Sequence, residues 1–130
     1  MFGKIPLKGE EIVTVKNNSI KLPKFTLAEQ GEVLCFLFLG DEIRLYSDKE
    51  YHIFLKEMYD YCKKENFDTI ETDNVKRYIC AKGCEVRKVN QGRIKSLKFL
   101  RDNLELMFVG YGNHAKILTK EQYDLYKKKV

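Results

Sequence analysis

The sequence predicts an α+β fold made of two tandem halves that share one core. Three observations carry that prediction. Residues 89–99 repeat residues 15–25 at a spacing of 74, so that Val15, Ile20, Lys21, Lys24 and Phe25 coincide with Val89, Ile94, Lys95, Lys98 and Phe99. In both copies an alternating strand, a polar turn and a short return strand follow one another. Each copy then continues into an apolar run of strand length, a second turn and a helix-capping signature. Self-similarity of this kind is read as two copies of one supersecondary unit.

Each element has a local reason. Residues 11–15 alternate and are β-branched, which predicts a strand. Asn17 and Asn18 supply turn chemistry because asparagine tolerates left-handed backbone. Residues 20–22 form a return strand stopped by Pro23, and residues 25–30 read as one helical turn closed by Gly31. Residues 33–39 are apolar throughout and predict a buried strand. Gly40 and Asp41 turn the chain into a further strand over residues 43–46. Ser47 with Glu50 three residues on is a capping box. The helix after it carries Tyr51, Phe54, Leu55, Met58, Tyr61 and Cys62 at helical spacing and should run to about Lys64. Residues 65–72 read as a polar linker. Thr72, Asp73 and Asn74 then cap a connector helix with Val75, Tyr78 and Ile79 on its buried face, ended by Gly83.

The second half repeats the order. Residues 85–89 are a strand, Asn90, Gln91 and Gly92 a turn, and residues 93–96 the return. Residues 99–103 match the helical turn of the first half. Residues 106–110 are the buried strand, Gly112 and Asn113 the turn, and residues 115–118 the last strand. Thr119 and Gln122 repeat the capping box, and the final helix over residues 121–129 buries Tyr123 and Tyr126. Residues 1–72 therefore form the first half, and residues 73–130 the connector helix and the second half, folding as one unit. A pair of such halves, each too small to bury both faces of its strands alone, predicts a pseudo-two-fold domain.

Bulk properties narrow the function. A chain of 130 residues fits one compact domain. Its apolar runs fall short of the ~20 residues that span a bilayer, so no membrane partner is expected. Residues 1–6 lack the apolar segment of a signal peptide, which places the chain in the cytoplasm. Cys80 and Cys84 are four apart without a nearby histidine, a weak zinc signal. All four cysteines, Cys35, Cys62, Cys80 and Cys84, read rather as reduced thiols packed as small apolar groups. No cofactor is implied.

The net charge is +5, unevenly spread. Between Lys76 and Arg101 nine basic residues face one acid, Glu85, whereas between Asp41 and Asp73 ten acids face five bases. A one-sided basic segment is the footprint of a polyanion binder. Catalysis finds little support. His52 is expected to be exposed on the first long helix, and His114 lies in a turn. Neither stands at a telling spacing from a nucleophile or carboxylate. Gly110-Tyr111-Gly112 lacks the third glycine of a phosphate-binding loop. The reading is of a protein that is not an enzyme and takes no small-molecule substrate.

The sequence resembles the MraZ family, bacterial regulators of the division and cell-wall gene cluster built from tandem AbrB-like halves. The likeness is clearest over Val75-Lys76-Arg77-Tyr78-Ile79, Cys84-Glu85-Val86, Gly92-Arg93-Ile94, Leu100-Arg101 and Val109-Gly110. It implies a swapped-hairpin β-barrel with flanking helices, a ring-forming homo-oligomer and a repressor that binds double-stranded DNA in the nucleoid. The family signature, Asp-x-x-x-Arg with glycine before arginine, is half kept at Val89-Asn90-Gln91-Gly92-Arg93. It is absent at Val15-Lys16-Asn17-Asn18-Ser19.

Physically, lysine and arginine supply phosphate contacts, a two-stranded β-ribbon fits the major groove, and arginine pairs with guanine. The candidate DNA-binding residues are Arg93, Lys95 and Lys98 in the second half and Lys16, Lys21 and Lys24 in the first. Arg93 could instead pair with a carboxylate inside the barrel or at a subunit contact. Tyr51, Tyr59, Tyr61, Tyr123 and Tyr126 serve either core packing or a subunit interface. The expected function is a sequence-specific repressor that engages repeated short sites. The alternative is an assembly or protein-interaction module that kept the scaffold and lost strong DNA binding.

Overall fold

The computed structural model describes residues 1–39, 42–77 and 83–129. The chain is α+β. Its strands are β1 (Glu10–Thr14), β2 (Ser19–Lys21), β3 (Val33–Leu39), β4 (Glu42–Ser47), β5 (Cys84–Lys88), β6 (Arg93–Lys95), β7 (Glu105–Gly110) and β8 (Ala115–Thr119). Three α-helices accompany them, α1 (Asp48–Lys64), α2 (Thr69–Arg77) and α3 (Lys120–Lys129). Six strands form one antiparallel sheet in the order β1-β7-β8-β4-β3-β5, and β2 pairs with β6 in a separate ribbon.

This pairing corrects the local hairpins read from the sequence. β1 pairs with β7 and β5 pairs with β3, so each half lends its first strand to the other. β2 likewise pairs with β6 across the halves. Among the described residues only single bridges, Lys16 to Ser19 and Asn90 to Arg93, join each first strand to its return strand. The interleaving has a simple cause. Strands of three residues offer too little apolar surface to fold back alone, whereas crossing puts Ile20 against Ile94 over a common core. The six-stranded ladder does not close on itself. It leaves β1 and β5 as edges, and the β2–β6 ribbon lies against both.

Two registers define a pseudo-two-fold relation. In the ribbon Ile20 faces Ile94, and in the sheet centre Arg44 faces Lys116. Between them sits a core of Phe2, Val13, Val15, Leu34, Phe36, Leu45, Leu106, Phe108 and Ile117. Phe2 is pulled in by its backbone N–H, which donates to both carboxylate oxygens of Glu32 at 2.8 Å. Gly110 permits a close crossing there, since a Cβ would stand 2.6 Å from the backbone of Leu7 and Lys8. A smaller cluster of Cys35, Leu37, Tyr46 and Tyr51 forms under α1.

The helices begin where capping predicts, with one exception. Ser47 Oγ accepts from the Glu50 N–H at 3.1 Å. Thr119 and Gln122 exchange both bonds of a capping box, at 3.0 and 3.3 Å. The exception is α2, which starts ahead of Thr72. Asp68 caps it, accepting from the Glu71 N–H at 2.7 Å, so the expected linker shrinks to residues 65–68. The expected helical turn at residues 25–30 is a single 3-10 turn, Lys24–Thr26, and residues 99–103 form only turns and bends. Tyr61, placed on the buried face of α1 by spacing, is exposed. The expected turn at Gly40 and Asp41 and the expected burial of Tyr78 and Ile79 lie outside the described residues.

Candidate nucleic-acid interface

The β2–β6 ribbon positions the predicted residues. Its inner face carries Ile20 and Ile94, which are fully buried. Side chains alternate along a strand, so Ser19, Lys21, Arg93 and Lys95 point outward. Lys21 stands directly opposite Arg93, and Ser19 opposite Lys95. Arg93 Nη1 also donates to Ser19 Oγ at 3.3 Å. Since Ser19 is the residue matched to Arg93 in the repeat, the two equivalent positions touch across the pseudo-two-fold axis.

Type I′-like turns close the ribbon at both ends. Asn17 and Asn18 have φ of 51° and 59°, and Gln91 and Gly92 have φ of 52° and 74°. Each turn is held by the opposite half. The Asp102 carboxylate accepts from the N–H groups of Asn17 and Asn18 at 3.1 and 3.0 Å. Gln30 accepts from the Gln91 N–H at 2.7 Å and donates to Asn90 Oδ1 at 2.9 Å. The clamp is therefore anionic at the first turn and neutral at the second.

A groove runs along each side of the ribbon. One, of about 230 Å³, is lined by Glu11 to Thr14 of β1 with Lys16, Lys21 and Arg93. The other, of about 690 Å³, lies against β5 and is lined by Lys88, Lys95, Ser96, Lys98 and Asn18 among others. The structure thus brings Lys16, Lys21 and Arg93 to one groove and Lys95 and Lys98 to the other. All five are exposed. Lys24, on the 3-10 turn, is exposed and lines neither.

Charge placement separates this surface from the sheet centre. Like charges directly opposite one another in a sheet repel. Arg44 and Lys116 form such a pair, and Glu42 bridges it at 2.7 and 3.1 Å. Burial alone would raise the Glu42 pKa, but the bonds from Arg44 and Lys116 outweigh it and hold the carboxyl below its usual range. Lys21 and Arg93 form the same kind of pair without a bridge. Among the described residues neither makes an ion pair, although Glu11 lines the same groove. Among the described residues no internal carboxylate partner for Arg93 is present.

The clamps and one structural cation go beyond the residues expected from the sequence. Arg87 lines the second groove, but its guanidinium bonds the carbonyls of Val86, Lys95 and Ser96 and the carboxylate of Glu85. It fastens the ribbon to β5. Its charge, counted in the basic segment, is already matched by Glu85 at 2.9 Å. A sequence signal existed in hindsight, because Glu85 and Arg87 are two apart on one strand face. Asp102 and Gln30 gave no such signal, since their partners lie in the other half.

No family model and no characterised protein matches this sequence.

The histidines lie elsewhere. His52 is exposed on α1, with Nδ1 2.7 Å from the Asp48 carbonyl oxygen. His114 is buried between Tyr46 and Tyr111, with ring centroids at 5.1 and 5.7 Å, and its Nε2 has no partner among the described residues. Burial, then the nearby Arg44 and Lys116 charges, push its pKa down to about 4. Among the described residues no group of three or more His, Cys, Asp or Glu could hold a metal ion. No helix of the described residues is long and apolar enough to cross a membrane.

Proposed function

We propose that this chain is a sequence-specific DNA-binding repressor of the MraZ type, contacting double-stranded DNA through the outer face of the β2–β6 ribbon. The observation that carries the reading is the unbridged Lys21–Arg93 pair. A phosphate or a guanine edge set against this pair would relieve its repulsion, as Glu42 does for Arg44 and Lys116. Lys95 continues the positive face along the ribbon, and Lys16 and Lys98 extend it into the flanking grooves. A ribbon of this width suits the major groove, and the fork of Arg93 is the group able to pair bidentately with a base. The crossed strand pairing supports reading the ribbon and sheet together as a swapped-hairpin barrel.

Self-association into a ring is part of the same proposal. The edge strands β1 and β5 expose Ile12 and Val86, residues matched in the repeat, at 60% and 57%. Unpaired apolar edges are where copies can add to one another. Several weak ribbon contacts on one duplex would then combine into useful affinity.

The test is a binding titration of the chain against its own upstream DNA at several salt concentrations. About four phosphate contacts should cost about 100-fold in affinity between roughly 50 and 200 mM salt. A flat salt response would remove the phosphate contacts. The competing reading, an assembly module without strong DNA binding, draws on Ser19 at the place matched to Arg93 and on the Asp102 carboxylate beside it. Rings that form normally yet leave upstream DNA unshifted at moderate salt would favour it.

A further inference from the structure

The two halves treat equivalent seats differently. In the first half the start of the chain fills a seat beside β3. Phe2 is fully buried there with its N–H bonded to Glu32, and the Met1 ammonium stands 2.7 Å from Glu29 Oε1. The Gly3 N–H donates to the Thr26 carbonyl at 3.1 Å. The pseudo-two-fold relation gives this seat a mate. Gly31 and Asn103 correspond, since both have positive φ, 82° and 71°. Their N–H groups donate to the carbonyls of the matched Val89 and Val15 at 2.8 and 2.7 Å. Counting from them, Glu29 and Glu32 match Arg101 and Leu104, and Thr26 matches Leu100.

At the mate lies an open groove of about 420 Å³, walled by Phe38, Ile43, Phe99, Leu100 and Leu104 with Arg101 beside them. Phe99 packs edge-on to Phe38, with ring centroids 5.9 Å apart, yet is 61% exposed. Its match in the repeat, Phe25, is half-buried. At the places matched to Phe2 and Leu7 the sequence carries Lys76 and Ala81, neither of which has an aromatic or branched aliphatic side chain. The charge is reversed as well. The first seat presents two carboxylates to the start of the chain, whereas the second presents a guanidinium beside a leucine. Among the described residues the Arg101 side chain makes no ion pair or hydrogen bond.

We propose that this groove binds a small aromatic carboxylate, its ring taking the place that the Phe2 ring has in the first half and its carboxylate pairing with Arg101. Apolar walls with a few placed polar groups, enclosing about 300–1,000 Å³, are what small ligands occupy. The planar fork of arginine bonds a carboxylate through two parallel hydrogen bonds, which an amide or an ammonium group cannot accept in the same way. The first-half plug presented by a second copy does not suit the groove, because its Met1 ammonium would meet Arg101. The site shares no residue with the proposed DNA contacts.

The experiment titrates the full-length protein, isotope-labelled on its leucine and isoleucine methyls, with phenylacetate, whose benzyl group reproduces the Phe2 side chain. Phenylacetamide serves as the neutral control. Phenylacetate should bind with a Kd of about 1 mM, as expected for a ligand of this size. The amide should bind about 10-fold more weakly. The methyl shifts should centre on Ile43, Leu100 and Leu104. Arg101→Gln should bind acid and amide alike, and Arg101→Glu should prefer phenethylammonium. The acid-to-amide ratio of the parent protein decides the matter if a variant does not fold. No saturation by about 20 mM phenylacetate, equal affinity for acid and amide, or shifts centred elsewhere overturns the proposal. So do groove methyl signals that move on dilution of the protein alone, since a second copy would then cover the groove.

Discussion

The two turns of the ribbon are alike in backbone and unlike in charge. Asn17-Asn18 and Gln91-Gly92 share positive φ, and each is gripped by the opposite half. Yet the first is held by the carboxylate of Asp102 and is followed by Ser19, while the second is held by the neutral Gln30 and is followed by Arg93. The inner faces show no such divergence, with Ile20 against Ile94. Packing demands the same shape from both halves, because the two isoleucines fill one space. The outer face has no such demand, so its chemistry is free to differ.

The largest effect should fall on the shared inner face. Ile20→Ala and Ile94→Ala should each lower stability by about 2–5 kcal/mol in denaturant unfolding, and by similar amounts. A large inequality between them would break the symmetry argued for the core. On the outer face the matched pair should behave differently. Arg93→Ala should weaken upstream-DNA binding by about 10- to 100-fold, whereas Ser19→Ala should stay within about twofold. An Arg93→Ala protein that binds like the parent would take the residue out of the site.

The sheet centre offers a second contrast, since Glu42 and His114 are matched in the repeat. His114 sits at about 4 in the fold against an ordinary value of 6.5. Below 6.5 the unfolded chain binds the proton more readily. The contribution is therefore complete above about pH 6.5 and is lost as pH falls towards 4. Stability should drop by on the order of 2 kcal/mol over that window. His114→Gln should flatten this acid limb, measured as urea midpoints against pH, and an unchanged limb would refute the assignment.

Smaller effects belong to the turns. Gly92→Ala meets no atom within 4 Å but must hold φ of 74°, so it should cost about 1–2 kcal/mol. Measured by thermal melts of both variants, Asn18→Gly should cost nothing or stabilise slightly. Smallest of all, Asp102→Asn should raise DNA affinity about twofold at low salt by removing a negative charge beside the first turn. A loss of affinity there would mean that the carboxylate's hold on the turn matters more than its charge.

Local features were legible in the sequence where local physics governs them. The Ser47 and Thr119 caps, the positive-φ turns and the strand-length run before Leu39 follow from neighbouring residues. The start of α2 was misplaced because Thr72, Asp73 and Asn74 are also capping residues. Asp68 with Glu71 forms the earlier and better-placed capping pair. Tyr61 was misassigned because helical spacing describes a face and not how far the neighbouring sheet reaches. Arg93, Lys95, Lys98, Lys16, Lys21 and Lys24 are all on the surface, as a basic alternating ribbon requires. Their division between two grooves, and the diversion of Arg87 into a structural role, depend on partners across the halves.

The sequence by itself determined the repeat, the order of elements and the basic character of one segment. Those properties are set by residues within a few positions of one another. Only the tertiary structure decided that each half completes the other's sheet, and that Asp102 and Gln30 clamp opposite turns. It alone brought Lys21 against Arg93. Three-residue return strands cannot bury their apolar faces locally, so the chain pairs across its own pseudo-symmetry. The register of that crossing, fixed by Ile20 on Ile94, chooses which distant side chains meet.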